Sequence, residues 1–412
     1  CRTRYCRFGR ASKVLKNNKK SMNLYFFTES RFDSVNGEIW TSQGFSMALW
    51  QRYLGKFNHV YVAARLQNVS EHSSDNLFKL EDKRVSVIGL PYYIGLVPYL
   101  KAKGSIKKII NSFIHPGDAY ICRVPGNIGT IAAECLKKKG IPYGLEVVGD
   151  PWESLSPQAF ESPFARILQV VAKRQLQKIT HNASAALYVT NHILQGKYPV
   201  KEGVFTTGAS NVILRDDCYS AEPHKVVDRE KNVQVRMLAV GTLAQLYKAP
   251  DVILKALAIV KSKGYNPFLT WFGDGRYRQP MIKMAEELGL KDNVNFVGAV
   301  KQDVIRKEFE QTDLFVHASR AEGLPRAVIE AMAYGLPCIG SSVAGIPELL
   351  SPEAIVKPND VDRLAEKMLR FVENKQFAQS EANKNWDESK KYHNDILTER
   401  RLSFYDELIK QS

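Results

Sequence analysis

Long hydrophobic runs are missing from this chain of 412 residues. The most apolar stretch, Val85 to Leu100, is broken by Pro91, Pro98 and two glycines. It falls short of the ~18 apolar residues that a membrane-spanning helix needs, which excludes an integral helical membrane protein. Cysteine is scarce and scattered, with six residues at positions 1, 6, 122, 135, 218 and 338 and no CxxC pair. That scatter argues against a disulfide framework and a zinc site and fits a reducing cytosol. A Walker A loop, a G-x-G-x-x-G turn and a Ser-His-Asp spacing are all lacking.

Acidic residues are absent from one end. The formal charge is +15, and residues 1–21, "CRTRYCRFGRASKVLKNNKKS", hold eight Arg or Lys and no acid. This stretch supplies +8 and the rest of the chain +7. Met22 follows, and then "NLYFFTES", which reads as a buried strand. The expectation is that Met22 is the natural start and that the tail is an expression artefact. The rival reading is a basic arm for anionic lipid or nucleic acid.

What is present is alternation. "NLYFF", "HVYVAA", "VSVIGL", "DAYICRV", "PYGLEVV" and "ALYVT" read as strands, with helical runs near 44–54, 102–114, 129–139 and 160–181. Around 215 the texture turns polar and is broken by Pro223, as in a linker. A second set begins with "VRMLAVG", "PFLTWFG", "VNFVG", "DLFVHAS", "PCIGSS" and "EAIV". Its helices are expected at 249–264, 276–289, 302–311, 325–335 and 360–373, and residues 388–412 should form one terminal helix packing back toward the first domain. Strand and helix alternating at this spacing imply parallel sheets. The chain therefore reads as two doubly wound α/β domains, 22–215 and 216–387. In such sheets ligands bind beyond the carboxyl ends of the strands.

At those strand ends stand Gly241-Thr242, with Lys248 shortly after, then Gly273-Asp274-Gly275, Gly298, Ser319 and Gly340. Some of these glycines serve ordinary turns. Five small exits on one rim also leave room for a ligand against the backbone. The densest stretch is "SRAEGLPRAVIEAMAYG", with two glutamates, Glu322 and Glu330, either side of Gly323-Leu324-Pro325. Pro325 suits a first helical turn and Gly335 a helix end. The helix start carries free amides and a positive dipole end, which attract a phosphate. Glu330 should lie ~7–8 Å further along, at ~1.5 Å per residue. Two hydroxyl acceptors flanking one phosphate anchor match the layout of a nucleotide-sugar: ribose, diphosphate, hexose. The simpler readings are a dipole partner for Glu322 and a solvated Glu330. The apolar flanks "AVI" and "AMA" count against the second, because a carboxylate in such a setting needs partners.

"EGLPRAVIE" resembles the signature of the family-4 glycosyltransferases, retaining nucleotide-sugar enzymes of the GT-B fold. "VGTLAQLYKAPDVILKAL", "WFGDG", "NFVG", "HASRAEGLP", "EAMAYGLPCIGS" and "AGIPEL" fall in that family's order over residues ~235–350. In the first half the resemblance is looser and includes "FDSVNGEIW". It implies two Rossmann-like domains facing each other across a cleft, with the acceptor bound by the first and the donor by the second. Glu330 would bind the ribose hydroxyls, Glu322 the sugar hydroxyls, and Lys248 the departing diphosphate. Amides around Gly323, Leu324 and Arg326 would hold the distal phosphate, and Gly37 would let the backbone approach the pyrophosphate. Gly241, Thr242, Gly273 and Asp274 complete the expected donor site. These roles need no metal and no other cofactor. Many members carry an Arg six residues before the Lys; here that position is Thr242, leaving Arg326 or Arg320 as the replacement cation.

The implied activity is transfer of a hexose from a nucleoside diphosphate sugar to a glycan or lipid-linked acceptor in surface polysaccharide assembly. A sugar-nucleotide-binding protein without activity and a sugar-nucleotide epimerase are the alternatives. Asp360-Val361-Asp362 has the form of a metal-binding DxD, but its setting reads as a helix cap. His317 at a strand end is as readily structural as functional, while Asp150 and Arg123 end strands of the first half and could face the acceptor. "LKAKGSIKKIIN" and "RILQVVAKRQLQK" have apolar and basic residues at helical spacing, compatible with an anionic membrane surface. The simpler alternative is a packed helix with a solvated basic face. No recognition motif for nucleic acid accompanies the charge. The expected location is the cytoplasm, with peripheral contact at the inner face of the membrane.

Overall fold

The computed structural model describes residues 22–71, 77–157, 160, 162–228 and 230–412, so the basic tail of residues 1–21 lies outside the described residues. The first sheet has nine strands: β1 (Leu24–Val35), β2 (Glu38–Ser42), β3 (Val60–Asn68), β4 (Leu77–Lys79), β5 (Val85–Leu90), β6 (Ala119–Val124), β7 (Gly144–Val147), β8 (Ala185–Tyr188) and β9 (Phe205–Gly208). Its body is parallel in the order β5-β3-β1-β6-β7-β8-β9. Its central strands β6, β7 and β8 are buried almost throughout, as expected where helices cover both faces.

Beyond its apolar start β1 departs from the expected short strand. It bulges between Phe27 and Arg31, runs on to Val35 and pairs antiparallel with β2. Asn36 and Gly37, with φ of 50° and 83°, form the two-residue turn between them. Positive φ at both positions is what such a hairpin requires, and Asn-Gly supplies it. Gly37 is thus an exposed hairpin tip and not a loop at the donor phosphates. That expectation is corrected.

Helices of the first domain are α1 (Met47–Leu54), α2 (Leu96–Phe113), α3 (Asn127–Lys139), α4 (Pro151–Ser154), α5 (Ala165–His181) and α6 (Ile193–Lys197). The crossovers β5-α2-β6, β6-α3-β7 and β7-α5-β8 all advance in one direction, and their right-handedness puts α2, α3 and α5 on one face. α1 returns the opposite way and covers the other. α2 begins six residues earlier than its periodicity suggests, because Pro98 is tolerated in a first turn.

The second sheet is wholly parallel. It comprises β10 (Gln234–Val240), β11 (Asn266–Phe272), β12 (Val294–Gly298), β13 (Leu314–His317), β14 (Cys338–Ser341) and β15 (Ile355–Val356), in the order β12-β11-β10-β13-β14-β15. Around it lie α7 (Pro250–Ser262), α8 (Arg278–Glu287), α9 (Gln302–Gln311), α10 (Arg326–Ala333), α11 (Ile346–Leu349), α12 (Val361–Glu373) and α13 (Lys375–Ser389). The expected single helix over 388–412 is divided among three elements. α13 ends at Ser389, a 3-10 turn spans Lys390–Tyr392, and α14 (Asn394–Gln411) follows. α14 lies on the first domain, where Phe404 packs against Gly144 and Tyr405 against Tyr53.

The domains also meet directly. Glu348 accepts hydrogen bonds from the amides of Asn191 (2.7 Å), His192 (2.9 Å) and Ile193, and Glu153 accepts from Ala344 N (2.9 Å). Among the described residues no helix is long and apolar enough to cross a membrane.

Candidate active site

Between the domains lies a cleft of about 610 Å³. On the second domain it sits where β10 and β13 are neighbours while β11 continues on the other side of β10. This reversal of strand order opens a crevice at the strand ends. Gly241, Thr242 and Lys248 enter from the loop after β10, and His317, Glu322 and Gly323 from the end of β13 and its loop. Leu324, Arg326 and Glu330 come from the start of α10. The first domain contributes Gly44, Phe45, Ser46, Arg52, Arg123 and Val148.

Lys248 ends a 3-10 turn over Leu246–Lys248. Gly241 lets its stem lie flat, since a Cβ there would stand 2.8 Å from Lys248 Cγ. Arg320 fixes the turn: its amide donates to Tyr247 O (2.7 Å), and its guanidinium reaches Leu246 O and both oxygens of Asp251 (2.9 and 2.7 Å). Arg320 is consumed in this bidentate pair and cannot replace the cation missing at Thr242. Thr242 itself closes the loop, donating to Asp274 O (3.2 Å) and accepting from Ala244 N (3.1 Å). Arg326, exposed at the first turn of α10, is the replacement candidate that faces the cleft.

Glu322 is held by three donors on a single oxygen. Lys248 Nζ, His317 Nε2 (2.7 Å) and Ser319 Oγ (2.7 Å) all converge on Oε1. Ser341 Oγ in turn braces Ser319 O. The Glu322 side chain is 9 % exposed. Burial alone would raise its proton affinity, but Lys248 and His317 outweigh that and hold it well below the usual carboxylate range. Burial lowers the His317 pKa, so the ring stays neutral at pH 7. His317, undecided from the sequence, is therefore a positioning residue for Glu322.

Glu330 is in the opposite condition. It accepts one hydrogen bond, from Gln302 Nε2 (2.9 Å), and burial pushes its pKa up to about 7 against the pull of Arg326 and Arg306. Pro325 caps α10 with extended backbone, so the helix opens at Arg326, one residue later than expected, and Gly335 closes it with φ of 66°.

Two expected donor residues pack against the loop after β10. A Cβ on Gly273 would lie 2.0 Å from Gly241 O, so its small size serves backbone packing. Asp274 Oδ1 accepts from Gly275 N (2.7 Å). Neither lines the cleft. Asp150 is likewise no acceptor ligand: fully buried, it caps α4 through Trp152 N (2.8 Å) and binds Lys197 (2.8 Å) and Tyr198. Arg123 does line the cleft while paired with Glu146 (3.0 Å). Asp360 caps α12 by accepting from Arg363 N (3.1 Å). The Gly44-Phe45-Ser46 turn and Arg52 escaped the sequence reading. Their signal was the same one used in the second half, small residues opening a helix at a strand end.

Gly323 joins site and interface. A Cβ there would sit 2.1 Å from Val148 O of the first domain. Gly323→Ala is expected to cost about 1–3 kcal/mol through this overpacking, read as a lowered melting temperature.

Residues 223–392 match the family described as glycosyl transferases group 1. The second domain belongs to that family. The chain is 29% identical to protein CapJ of Staphylococcus aureus over 82% of its own length and 83% of CapJ. It is 31% identical to the amylovoran biosynthesis glycosyltransferase AmsK of Erwinia amylovora, over 33% of this chain and 36% of AmsK. The solved structure of sucrose-phosphate synthase from Thermosynechococcus elongatus superimposes with a TM-score of 0.71 at 15% identity, covering 95% of this chain and 100% of that one. The transferase has the GT-B fold, two parallel-sheet Rossmann-like domains about a cleft.

Proposed function

We propose that this glycosyltransferase moves a hexose, with retention of configuration and without a metal, from a nucleoside diphosphate sugar to a glycan or lipid-linked acceptor in surface polysaccharide assembly. The observation that carries the reading is the convergence, in one cleft, of the Lys248–Glu322 pair, the start of α10 and Glu330. Glu330 is set to take the ribose hydroxyls and Glu322 the hexose hydroxyls. Lys248 and the first amides of α10 meet the charge that grows on the diphosphate as the anomeric bond breaks. Retention rests on the likeness of "EGLPRAVIE" to the retaining family, and the polysaccharide role on the kinship with CapJ and AmsK.

The test is a thermal-shift panel of UDP, GDP, ADP and their sugars, followed by donor hydrolysis with and without EDTA. One nucleotide should raise the melting temperature and its sugar should be hydrolysed at a rate EDTA leaves unchanged. A panel with no shift would sink the donor assignment.

Glu330 gives this reading a pH signature. As a hydroxyl acceptor it must be ionised, and burial pushes its pKa up to about 7. Affinity for a nucleotide-sugar, whose diphosphate diester does not titrate there, should rise about tenfold from pH 6 to pH 8. Glu330→Gln should flatten that rise. The same raised pKa makes ionisation a penalty on folding that is absent below about pH 4.5 and complete above about pH 7. Bound donor offsets it.

A further inference from the structure

The first domain leaves large apolar side chains in solvent at the cleft-side end of one face. Ile94, just ahead of α2, is 61 % exposed, and Val97 and Leu100 in its first turns are 62 % and 56 % exposed. On the same face α5 opens with Phe164, Ile167 and Val171 at 61 %, 64 % and 56 %. α2 follows β5, and α5 follows β7 by way of α4, so both helices open toward the carboxyl ends of the strands, the rim that carries the cleft. Scattered single apolar residues on a surface need no explanation, but two helix starts with the same pattern on one rim do. α2 packs through Ile106 and Ile110 with the part-buried Tyr99, Ala102, Ile109 and Phe113, and that contact leaves Val97 and Leu100 outside it.

The charge of the same helices has one sign. α2 carries Lys101, Lys103, Lys107 and Lys108, all exposed, and no acid. α5 carries Arg166, Lys173, Arg174 and Lys178, again with no acid. None of these eight forms an ion pair with a described residue, and Lys173 lies 4.9 Å over the ring of the part-exposed Trp152. Apolar side chains with unpaired cations and an interfacial Trp beside them are complementary to acyl chains beneath a layer of phosphate headgroups. We infer that this rim docks on an anionic phospholipid bilayer. A surface so rich in Lys would need an acidic protein partner to be covered otherwise, and the apolar residues favour the bilayer.

The consequence rests on the transferase reading. A second cavity of about 520 Å³ in the first domain shares Phe45, Arg123 and Val148 with the cleft and is lined by Glu29, Asp33 and Tyr92. Tyr92 stands two residues before Ile94. A docked rim brings this cavity to the membrane surface, so the acceptor is a lipid-linked saccharide and not a free glycan.

Flotation of the full chain with vesicles tests the docking without donor or acceptor. It should partition at least about tenfold more strongly onto phosphatidylcholine vesicles carrying about 30 mol% phosphatidylglycerol than onto phosphatidylcholine alone. Val97→Ser/Leu100→Ser/Ile167→Ser should lose about tenfold of that binding, and residues 1–21 are the same in both proteins. Its donor hydrolysis should stay within about twofold of the parent, since these side chains lie outside the cleft lining. A parent that ignores anionic vesicles, or a triple variant that binds as the parent does, overturns the docking. Capture of an acidic protein without vesicle binding also overturns it. Vesicle binding without any transfer faults the transferase reading and leaves the docking standing.

Discussion

Glu322→Gln is expected to lower turnover about a hundredfold while donor affinity changes only a few-fold. Gln preserves the shape of the side chain and can still accept from His317 and Ser319, which hold Oε1 at 2.7 Å each. It removes the charge that steers Lys248 and the second anionic oxygen that would order the hexose. Positioning effects of this kind appear in the chemical step and spare ground-state binding. Steady-state kinetics with the donor identified by thermal shift separates the two. A variant that loses affinity as much as turnover would place Glu322 in ground-state donor binding and not in the chemical step.

Lys248→Met carries the second large effect, a fall in turnover of about 100- to 1000-fold. Met keeps the stem that lies over Gly241 but offers no charge to a departing diphosphate. It also strands Glu322, which is 9 % exposed and depends on Lys248 for its low pKa. The folded protein should therefore lose stability toward neutral pH, where the carboxylate is ionised without its partner. The sign follows from the depressed pKa: the pair stabilises the fold above the ordinary carboxylate range, and that contribution fades as pH falls. Melting curves for parent and variant should converge as the medium is acidified. The double variant with Glu322→Gln should fall well short of the product of the two losses, because the residues act as one unit.

Most of the second domain could be read in advance because parallel strands buried on both faces appear as unbroken apolar runs closed by small residues. Glu322, Glu330 and Lys248 were legible for the same reason, as polar groups just past those runs. The errors share a different cause. Gly37 was placed by family order, although Asn36-Gly37 between two alternating runs already carried its own hairpin signal. Asp150 follows a strand like a ligand but is turned inward by Lys197 and Tyr198, which are about fifty residues away in sequence. Arg320 was available by type and occupied in fact, and only the fold shows Asp251 beside it. The break at Lys390–Tyr392 leaves helical spacing nearly intact, so periodicity runs straight through it. Pairings across long sequence separations are what a one-dimensional pattern omits.

The three donors gathered on Oε1 of Glu322 have a stereochemical consequence. Its other oxygen takes no hydrogen bond from a described residue, and in the proposed role it would offer the hexose one fixed set of lone pairs. A freely turning carboxylate would accept an axial or an equatorial hydroxyl almost equally well. One pinned by its neighbour atom acts as a gauge, and epimers differing at that carbon should be told apart by angle and not by size.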